Sequence, residues 1–197
     1  MNLGFVASNN GSSMRAIVGA IARGELPAKA CLVVSNKRDA GALAFAREHG
    51  IAALCIPTLK DPEGADAALA QAMREAGVEL IVLSGYLRKL GPKTLAAYRH
   101  RVLNIHPALL PDFGGQGMYG RRVHEAVRAA GVAETGATVH LVDDEYDHGP
   151  PVASVRVPVG PDDTPEAIEA RVMAAEPLLF IDTLRRIAAG EVELPAA

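Results

Sequence analysis

The stretch Leu3-Gly4-Phe5-Val6-Ala7-Ser8-Asn9-Asn10-Gly11-Ser12-Ser13 decides the class of fold. It starts as a short apolar run, crosses a polar loop that contains one glycine, and enters residues 14–23, whose apolar positions have helical spacing. A buried strand followed by a short loop and an amphipathic helix is the building unit of a parallel sheet covered by helices. This stretch therefore predicts an α/β fold.

The same unit recurs along the first half of the chain. Apolar runs at residues 31–35, 52–56, 80–83 and 102–105 alternate with Ala-rich helical segments at residues 40–48 and 65–76. Short apolar runs separated by such helices are typical of buried parallel strands. We therefore predict a Rossmann-like open, mostly parallel sheet with helices on both faces.

The pattern changes in the second half. Residues 111–120 contain four glycines and no periodicity, which predicts a long loop, and such loops are usually functional. Two strands at residues 138–142 and 152–157 follow and predict an antiparallel C-terminal strand pair. A last helix is expected from Thr164-Pro165 to about Ala189, with Gly190 behind it.

Composition narrows the classes of function. The formal net charge is −3 and the pI is about 6.1, so no basic field surrounds the protein and we expect no nucleic-acid partner. No run approaches the roughly 20 apolar residues of a membrane span, and the N-terminus lacks a signal-peptide pattern. Two cysteines do not form a disulfide framework. We expect a cytoplasmic protein with no membrane partner.

Ligands of open parallel sheets bind beyond the carboxyl ends of the strands. The first strand leads through Asn10, Gly11, Ser12 and Ser13 into a helix, whose free N–H groups suit a phosphate. The loop is neither a dinucleotide fingerprint nor a P-loop, and an ordinary capped turn explains it equally well. Ser84 and Gly85 after the fourth strand allow close backbone approach, although they also suit a simple turn.

Asn104-Ile105-His106-Pro107 ends the fifth strand. Strand alternation places Asn104 and His106 on the same face, where an amide and an imidazole can stabilise an oxyanion. The turn at residues 143–150 contains three Asp and one Glu. It is either a solvated acidic hairpin or the source of a carboxylate that holds His106 and favours its charged form.

The same part of the sequence also suggests a metal site. His106, His140, Asp147 and His148 could be drawn as zinc ligands. Alternation along residues 138–142 makes His140 a strand or packing residue instead, and the other groups have a role that needs no metal. We therefore predict no metal.

Taken together, these motifs resemble the glycinamide ribonucleotide formyltransferase family, within the folate-dependent formyltransferases. The most specific pieces are Asn104-Ile105-His106-Pro107-Ala108-Leu109-Leu110-Pro111, and Thr138-Val139-His140 followed by Asp147-x-Gly149-Pro150. The resemblance covers nearly the whole chain. It implies one formyltransferase domain over residues 1–197, with a phosphate-binding half at about 1–103 and a catalytic and folate-binding half at about 104–197.

The resemblance also implies roles for individual residues. The catalytic set is Asn104, His106 and Asp147. The phosphate and ribose of the acceptor are bound by Asn10, Gly11, Ser12, Ser13 and Glu176, and its glycinamide end by Gly85 and Pro107. The folate is bound by Arg88, Lys89, Leu90, Asn104, Asp144, Glu145, Tyr146 and Asp147.

The chain departs from the family at several positions in the substrate sites. Ser13 replaces a common Asn, Ala108 a common Ser, and His148 a common Gly, while Met173 occupies a usually polar place near the phosphate. The loop at residues 114–120 also differs from that of better-known members. Arg15, Arg121, Arg122 or Arg171 could supply a missing phosphate contact, and the sequence does not choose among them.

The implied activity is formyl transfer from 10-formyltetrahydrofolate, a co-substrate, to the amine of glycinamide ribonucleotide in purine biosynthesis, by a monomer or homodimer. A formyltetrahydrofolate hydrolase would share the catalytic set but carry an extra N-terminal domain. A methionyl-tRNA formyltransferase would need a C-terminal domain and a basic surface. A formyltransferase for another phosphorylated amine and a non-catalytic nucleotide-binding module are the remaining alternatives.

Overall fold

The computed structural model describes residues 1–196 of the chain. Its strands are β1 Asn2–Ala7, β2 Lys29–Ser35, β3 Ala52–Cys55, β4 Leu80–Leu83, β5 Val102–His106, β6 Glu134–Leu141 and β7 Pro151–Pro158. Its helices are α1 Ser12–Ala22, α2 Gly41–Glu48, α3 Pro62–Glu75, α4 Pro92–Ala97, α5 Arg121–Ala130 and α6 Pro165–Ala188. These elements alternate strand and helix until the β6–β7 hairpin.

One sheet contains the seven strands in the order β3-β2-β1-β4-β5-β6-β7. The first five strands are parallel to their neighbours, whereas β6 runs antiparallel to β5 and β7 antiparallel to β6. The predicted α/β class, the parallel sheet and the antiparallel C-terminal pair are therefore confirmed. The order reverses at β1, which is a switch point where ligands bind in such sheets.

Helices cover both faces of the sheet because side chains alternate along each strand. Phe5 packs in one core cluster with Met14 of α1 and Phe180 of α6. The next residue, Val6, packs in a second cluster with Leu69 and Met73 of α3. This alternation gives the buried strands an apolar sequence on both sides.

Two helices were not predicted from the sequence. The first, α4, has only six residues, and its start depends on Asp66 of α3, whose carboxylate accepts from the N–H groups of Lys93 (2.8 Å) and Thr94 (3.0 Å). That cap is a tertiary contact and leaves no local signal. The second, α5, buries Val123, His124 and Val127 at helical spacing, so its signal was present in the sequence.

None of the helices within residues 1–196 is long and apolar enough to cross a membrane.

Candidate active site

Strand β5 presents Asn104 and His106 at its carboxyl end, and its antiparallel neighbour β6 decides what faces them. In the β5–β6 register, Asn104 lies opposite His140 and His106 lies opposite Thr138. Cross-strand partners in a sheet have neighbouring side chains. The hairpin of β6 and β7 then carries Asp147 to the same edge. The structure thus brings together the three residues that the resemblance implied as catalytic.

The His106 ring has an acceptor at each nitrogen. Its Nε2 donates to the carbonyl oxygen of Phe113 at 2.8 Å, and its Nδ1 lies 3.3 Å from Oδ2 of Asp147. Carbonyl and carboxylate oxygens only accept hydrogen bonds. Two acceptors around one ring suit the doubly protonated imidazolium. The side chain is only 4% exposed, so water competes little for either nitrogen.

Asp147 is held in place by its turn. Its backbone has a φ of 54°, a left-handed conformation that Asp tolerates better than most residues. Two residues on, Gly149 lies so close to β6 that a Cβ there would be 1.9 Å from the Leu141 carbonyl oxygen. Only glycine permits this approach, which folds the turn back toward β5.

The environment of Asp147 favours the carboxylate. Burial raises its pKa, but contacts with the His106 and His140 rings, the His106 charge and the Gly115 N–H lower it more, so that the net pKa lies well below the ordinary value. Gly115 N–H donates to Oδ2 at 3.1 Å. Asp147 is therefore charged at neutral pH, and its negative charge stabilises a protonated His106.

Sequence reasoning assigned His140 to packing and missed its contacts. The ring is buried, and its Nδ1 donates to the Leu141 carbonyl oxygen at 2.8 Å. In the neutral ring, Nε2 is then the acceptor for the Asn104 amide at 3.1 Å. Nε2 also lies 3.5 Å from Oδ1 of Asp147. The antiparallel pairing of residues 138–142 with β5 was the signal that could have found it.

An open pocket of about 590 Å³ lies in front of these groups. Of the residues predicted from the sequence, it is lined by Gly85, Asn104, His106, Pro107, Tyr146 and Asp147. The loop at residues 115–120 and Arg122 complete the wall. The predicted glycinamide positions and the predicted catalytic set therefore share one pocket with Tyr146, whereas the other predicted site residues lie outside its lining.

The predicted phosphate loop, residues 10–13, has the backbone geometry of an uncapped helix start. Gly11 is the N-cap of α1, with a φ of 64° and no side-chain cap hydrogen bond. The next donor, Met14 N–H, is satisfied by Ser84 Oγ at 2.9 Å. The Arg15 side chain braces the loop by donating to the Asn10 carbonyl at 2.8 Å. Met14 N–H is therefore capped by a side chain from the end of β4, whereas the helix has no cap from its own N-cap residue Gly11.

Glu176 lies on α6, outside the pocket lining but within reach of the His106 charge. Burial raises its pKa to about 7, and the charge of His106 lowers it by less. A carboxyl group with this pKa is partly protonated at neutral pH, so it can donate as well as accept a hydrogen bond.

The predicted folate residues form two segments at the same edge of the sheet. Lys89 Nζ lies 5.9 Å from the centre of the Tyr146 ring and links the segments. Leu90 is buried in the core, while Arg88, Asp144 and Glu145 are exposed. Of these residues, Tyr146 lines the pocket. Lys89 and Leu90 line a second, smaller pocket, which shares Tyr86 with the first.

The acidic neighbours of Asp147 have different partners. Asp143 Oδ2 lies 2.8 Å from Nδ1 of the exposed His148. Burial raises the pKa of Asp143, but the hydrogen bonds with His148 and the Glu145 N–H lower it more. Asp143 therefore belongs to a surface pair, and Asp147 is the acid of this turn that reaches His106. Within residues 1–196, no three His, Cys, Asp or Glu side chains are grouped as metal ligands.

Comparisons with known proteins agree on one family. The formyl transferase family model matches residues 1–184. The phosphoribosylglycinamide formyltransferase of Arabidopsis thaliana chloroplasts is 38% identical over 188 residues, which cover 94% of this chain and 64% of the plant protein. The chain thus spans somewhat less than two thirds of that relative. The Escherichia coli phosphoribosylglycinamide formyltransferase is 33% identical over 98% of this chain and 90% of its own length.

Solved structures agree with the sequences. Glycinamide ribonucleotide transformylase 1 from Symbiobacterium toebii matches with a TM-score of 0.89 and 32% identity, over 100% of this chain and 91% of that one. A formyltetrahydrofolate deformylase from Pseudomonas syringae pv. tomato also matches, with a TM-score of 0.86 and 25% identity, over 98% of this chain and 63% of that one.

Proposed function

Because this chain belongs to the formyl transferase family, we propose that it transfers the formyl group of 10-formyltetrahydrofolate to the amine of glycinamide ribonucleotide. The observation that carries the proposal is the position of Asn104, His106 and Asp147 around one pocket that also contains Gly85 and Pro107. This set can stabilise an oxyanion and accept a proton without a covalent nucleophile. Relatives named for this reaction cover most of the chain.

The reaction forms one C–N bond and breaks another. The substrate amine attacks the formyl carbon, and the carbonyl electron pair moves to oxygen. His106 and the Asn104 amide donate hydrogen bonds to that oxygen, each donor being worth roughly 3–4 kcal/mol in comparable sites. Asp147, directly or through water, accepts the proton from the amine. The intermediate then collapses, the bond to N10 of the folate breaks, and N10 receives a proton.

The Asn104 amide is oriented by its neighbour on β6. A side-chain amide has two N–H donors, and the His140 Nε2 accepts one of them. The second donor is left for the formyl oxygen. His140 is therefore a positioning residue. Its Nδ1–H donates to the Leu141 carbonyl oxygen, which leaves Nε2 of the neutral ring as an acceptor. The NH₂ group of Asn104, rather than its carbonyl oxygen, then faces the ring.

His106 must change a partner before it can act. Its Nε2 donates to the Phe113 carbonyl, and its Nδ1 faces Asp147. Donation to the substrate therefore requires Nε2 to exchange the carbonyl oxygen of Phe113 for the formyl oxygen. Substrate binding and a shift of residues 113–115 are then coupled steps, because both oxygens compete for one N–H.

The remaining residues are proposed to hold the substrates. The uncapped start of α1 at residues 10–13 suits a phosphate, because its N–H groups and the helix dipole favour an anion. Glu176, near His106, suits ribose hydroxyls. Arg88, Lys89 and Leu90 follow the pocket-lining segment 85–87, and residues 144–147 include the pocket-lining Tyr146 and Asp147. Both segments suit the folate. Binding energy from these distant groups can position the amine for attack.

A turnover assay tests the proposal. Release of tetrahydrofolate from the formyl donor is followed with glycinamide ribonucleotide, with glycinamide lacking the ribose phosphate, and with no amine. We expect fast release only with the full acceptor, and a kcat/KM lower by several orders of magnitude for glycinamide alone.

The same assay separates the nearest alternative. The deformylase match shows that this fold also occurs in a protein named for hydrolysis. Equally fast release without any amine, with formate accumulating, would identify a hydrolase and reject the transferase. Turnover with a different phosphorylated amine would keep the reaction and correct the acceptor.

Several finer expectations remain predictions. They are a phosphate-binding half at about residues 1–103 followed by a catalytic and folate-binding half, a mechanism without metal, a monomer or homodimer, the lack of a nucleic-acid partner, and a cytoplasmic location. Activity that survives prolonged dialysis against a strong chelator would support the metal-free mechanism.

A further inference from the structure

The proposed substrates are both anionic, so the pocket needs a cation that is not already neutralised. Three of the four arginines that the sequence left open have other partners. Arg121 pairs with Glu166 at 2.9 Å and with Glu169 at 3.1 Å. Arg171 binds Asp163 through two nitrogens, each at 2.8 Å.

Arg15 is occupied by the backbone. It donates to the carbonyl oxygens of Asn10 at 2.8 Å and Gly41 at 3.1 Å, and its guanidinium lies 4.6 Å from the centre of the Phe45 ring. Its Nε and Nη2 atoms already donate to the protein, so it braces the loop. It has less capacity for a ligand than an arginine without such bonds.

Arg122 shares the aromatic contact of Arg15 but has none of its hydrogen bonds. Within residues 1–196 it has no acidic partner and makes no hydrogen bond through its side chain, and its guanidinium lies 5.3 Å from the centre of the Tyr119 ring. It is the only Arg or Lys among the described residues that line the 590 Å³ pocket. A cation stacked on an aromatic ring keeps its N–H groups available at its edge.

We propose that Arg122 binds an anionic oxygen group of a substrate in the pocket of Asn104, His106 and Asp147. The proposal rests on the proposed function and adds a binding residue to it. Two groups have the required chemistry: the phosphate of the ribonucleotide and the glutamate carboxylates of the folate. Both match the planar fork of a guanidinium, which can bind two oxygens at once.

The location of Arg122 explains how it can compensate for Met173. Arg121, its neighbour, binds Glu169 of α6, and Met173 lies one helical turn beyond Glu169 and is exposed. The start of α5 therefore lies beside the part of α6 that was expected to contribute a polar contact near the phosphate. If the anion is the phosphate, α5 thus supplies the cation that Met173 of α6 lacks.

The test compares Arg122→Gln with Arg121→Gln. The two arginines are adjacent and exposed, but Arg121 already has two acidic partners, so Arg121→Gln is the matched control for charge and helix position. Equilibrium binding and KM are measured for glycinamide ribonucleotide against the riboside without phosphate, and for 10-formyltetrahydrofolate against the pteroate without glutamate.

We expect Arg122→Gln to weaken binding of one full ligand by about 10-fold or more while its truncated form is unaffected. The ligand that loses affinity identifies the anion. The kcat is expected to change less than threefold, Arg121→Gln to change neither binding constant by more than about twofold, and Arg122→Lys to recover part of the loss.

Other outcomes would overturn the proposal. Equal losses for full and truncated ligands would mean that Arg122 acts on the loop and not on an anion, and unchanged binding of both full ligands would exclude its role. The binding measurements do not require turnover. A wild-type protein that binds an anionic ligand through Arg122 but transfers no formyl group would reject the proposed function and retain this inference.

Discussion

Two loops at the carboxyl edge of the sheet are held in opposite ways. Residues 8–13, after β1, are tied to the surrounding framework: Ser8 N–H donates to the Gly85 carbonyl at 3.1 Å, and Ser8 Oγ donates to Asn36 Oδ1 at 2.7 Å and accepts from Leu87 N–H at 2.9 Å. Together with the Arg15 brace, these bonds fix the loop without using Asn104, His106 or Asp147.

Residues 111–120, after β5, are held by two of the proposed catalytic groups, His106 and Asp147. Apart from the contact with the adjoining start of α5, they make two hydrogen bonds to other segments of the described chain. Nε2 of His106 donates to the Phe113 carbonyl oxygen, and Gly115 N–H donates to Asp147. A substrate that binds His106 therefore competes with the loop, whereas a phosphate at residues 10–13 displaces no such bond. In the proposed mechanism, the phosphate loop is therefore ready to bind, whereas His106 must exchange partners.

The largest effect is expected at His106, which contacts residues 111–120. His106→Ala removes an oxyanion donor, so kcat should fall by about 100- to 1,000-fold, while the protein stays folded because His106 lies at the end of β5. Turnover and thermal unfolding are measured on the same preparation. Near-normal turnover of a folded variant would refute the mechanism.

Asp147 should rank second and Asp143 should have little effect. Asp147→Asn removes the charge that faces His106 and weakens an acceptor of Gly115, so kcat should fall by about 100-fold. Asp143→Asn removes only the exposed pair with His148 and should stay within a few-fold of the wild type. Steady-state kinetics of the two variants decide the issue. Equal losses would indicate a general acidic turn with no special role for Asp147.

The braced loop is tested by Gly11→Glu. A negative side chain beside the predicted phosphate should raise KM for the ribonucleotide by about 10-fold or more through charge repulsion, while folate affinity stays nearly unchanged. Gly11 also has a positive φ of 64°, which strains any other residue.

Gly50→Glu is the control for this strain, because Gly50 has a φ of 68° and open space around it, away from the site. An equal rise in KM for Gly50→Glu, or loss of folate binding in Gly11→Glu, would contradict a local phosphate site.

The smallest expected effect is a pH dependence from Glu176. Its folded-state pKa of about 7 lies above the ordinary 4.5, so its contribution to stability is fully present below pH 4.5 and is lost as pH rises toward 7. Glu176→Gln should flatten this part of the curve, a difference on the order of 1–3 kcal/mol. Chemical unfolding of both proteins at several pH values measures it. Parallel curves would show that Glu176 is not held in its protonated form.

How well the sequence predicted each element depended on the range of the interactions that form it. The strands were predicted because their buried residues are contiguous, and α1 because its apolar spacing is local. Helix α4 was not, because Asp66 caps it from α3. His140 does lie buried in a strand, as predicted. Its contacts were missed for a related reason: alternation along β6 gives its face, but only the pairing with β5 shows that Asn104 lies opposite.

The sequence by itself determined the α/β class, the placement of Asn104 and His106 on one face at the end of a strand, and a family resemblance that the comparisons bear out. Those features are encoded in short periodic runs and local motifs. Only the tertiary structure decided which acid of the 143–147 turn faces His106 and which oxygen accepts the hydrogen bond of its Nε2. It also decided which arginine of the described residues lines the pocket without an acidic partner. Each of these depends on contacts between segments that are far apart in the chain, and local sequence patterns do not determine which distant segments come into contact.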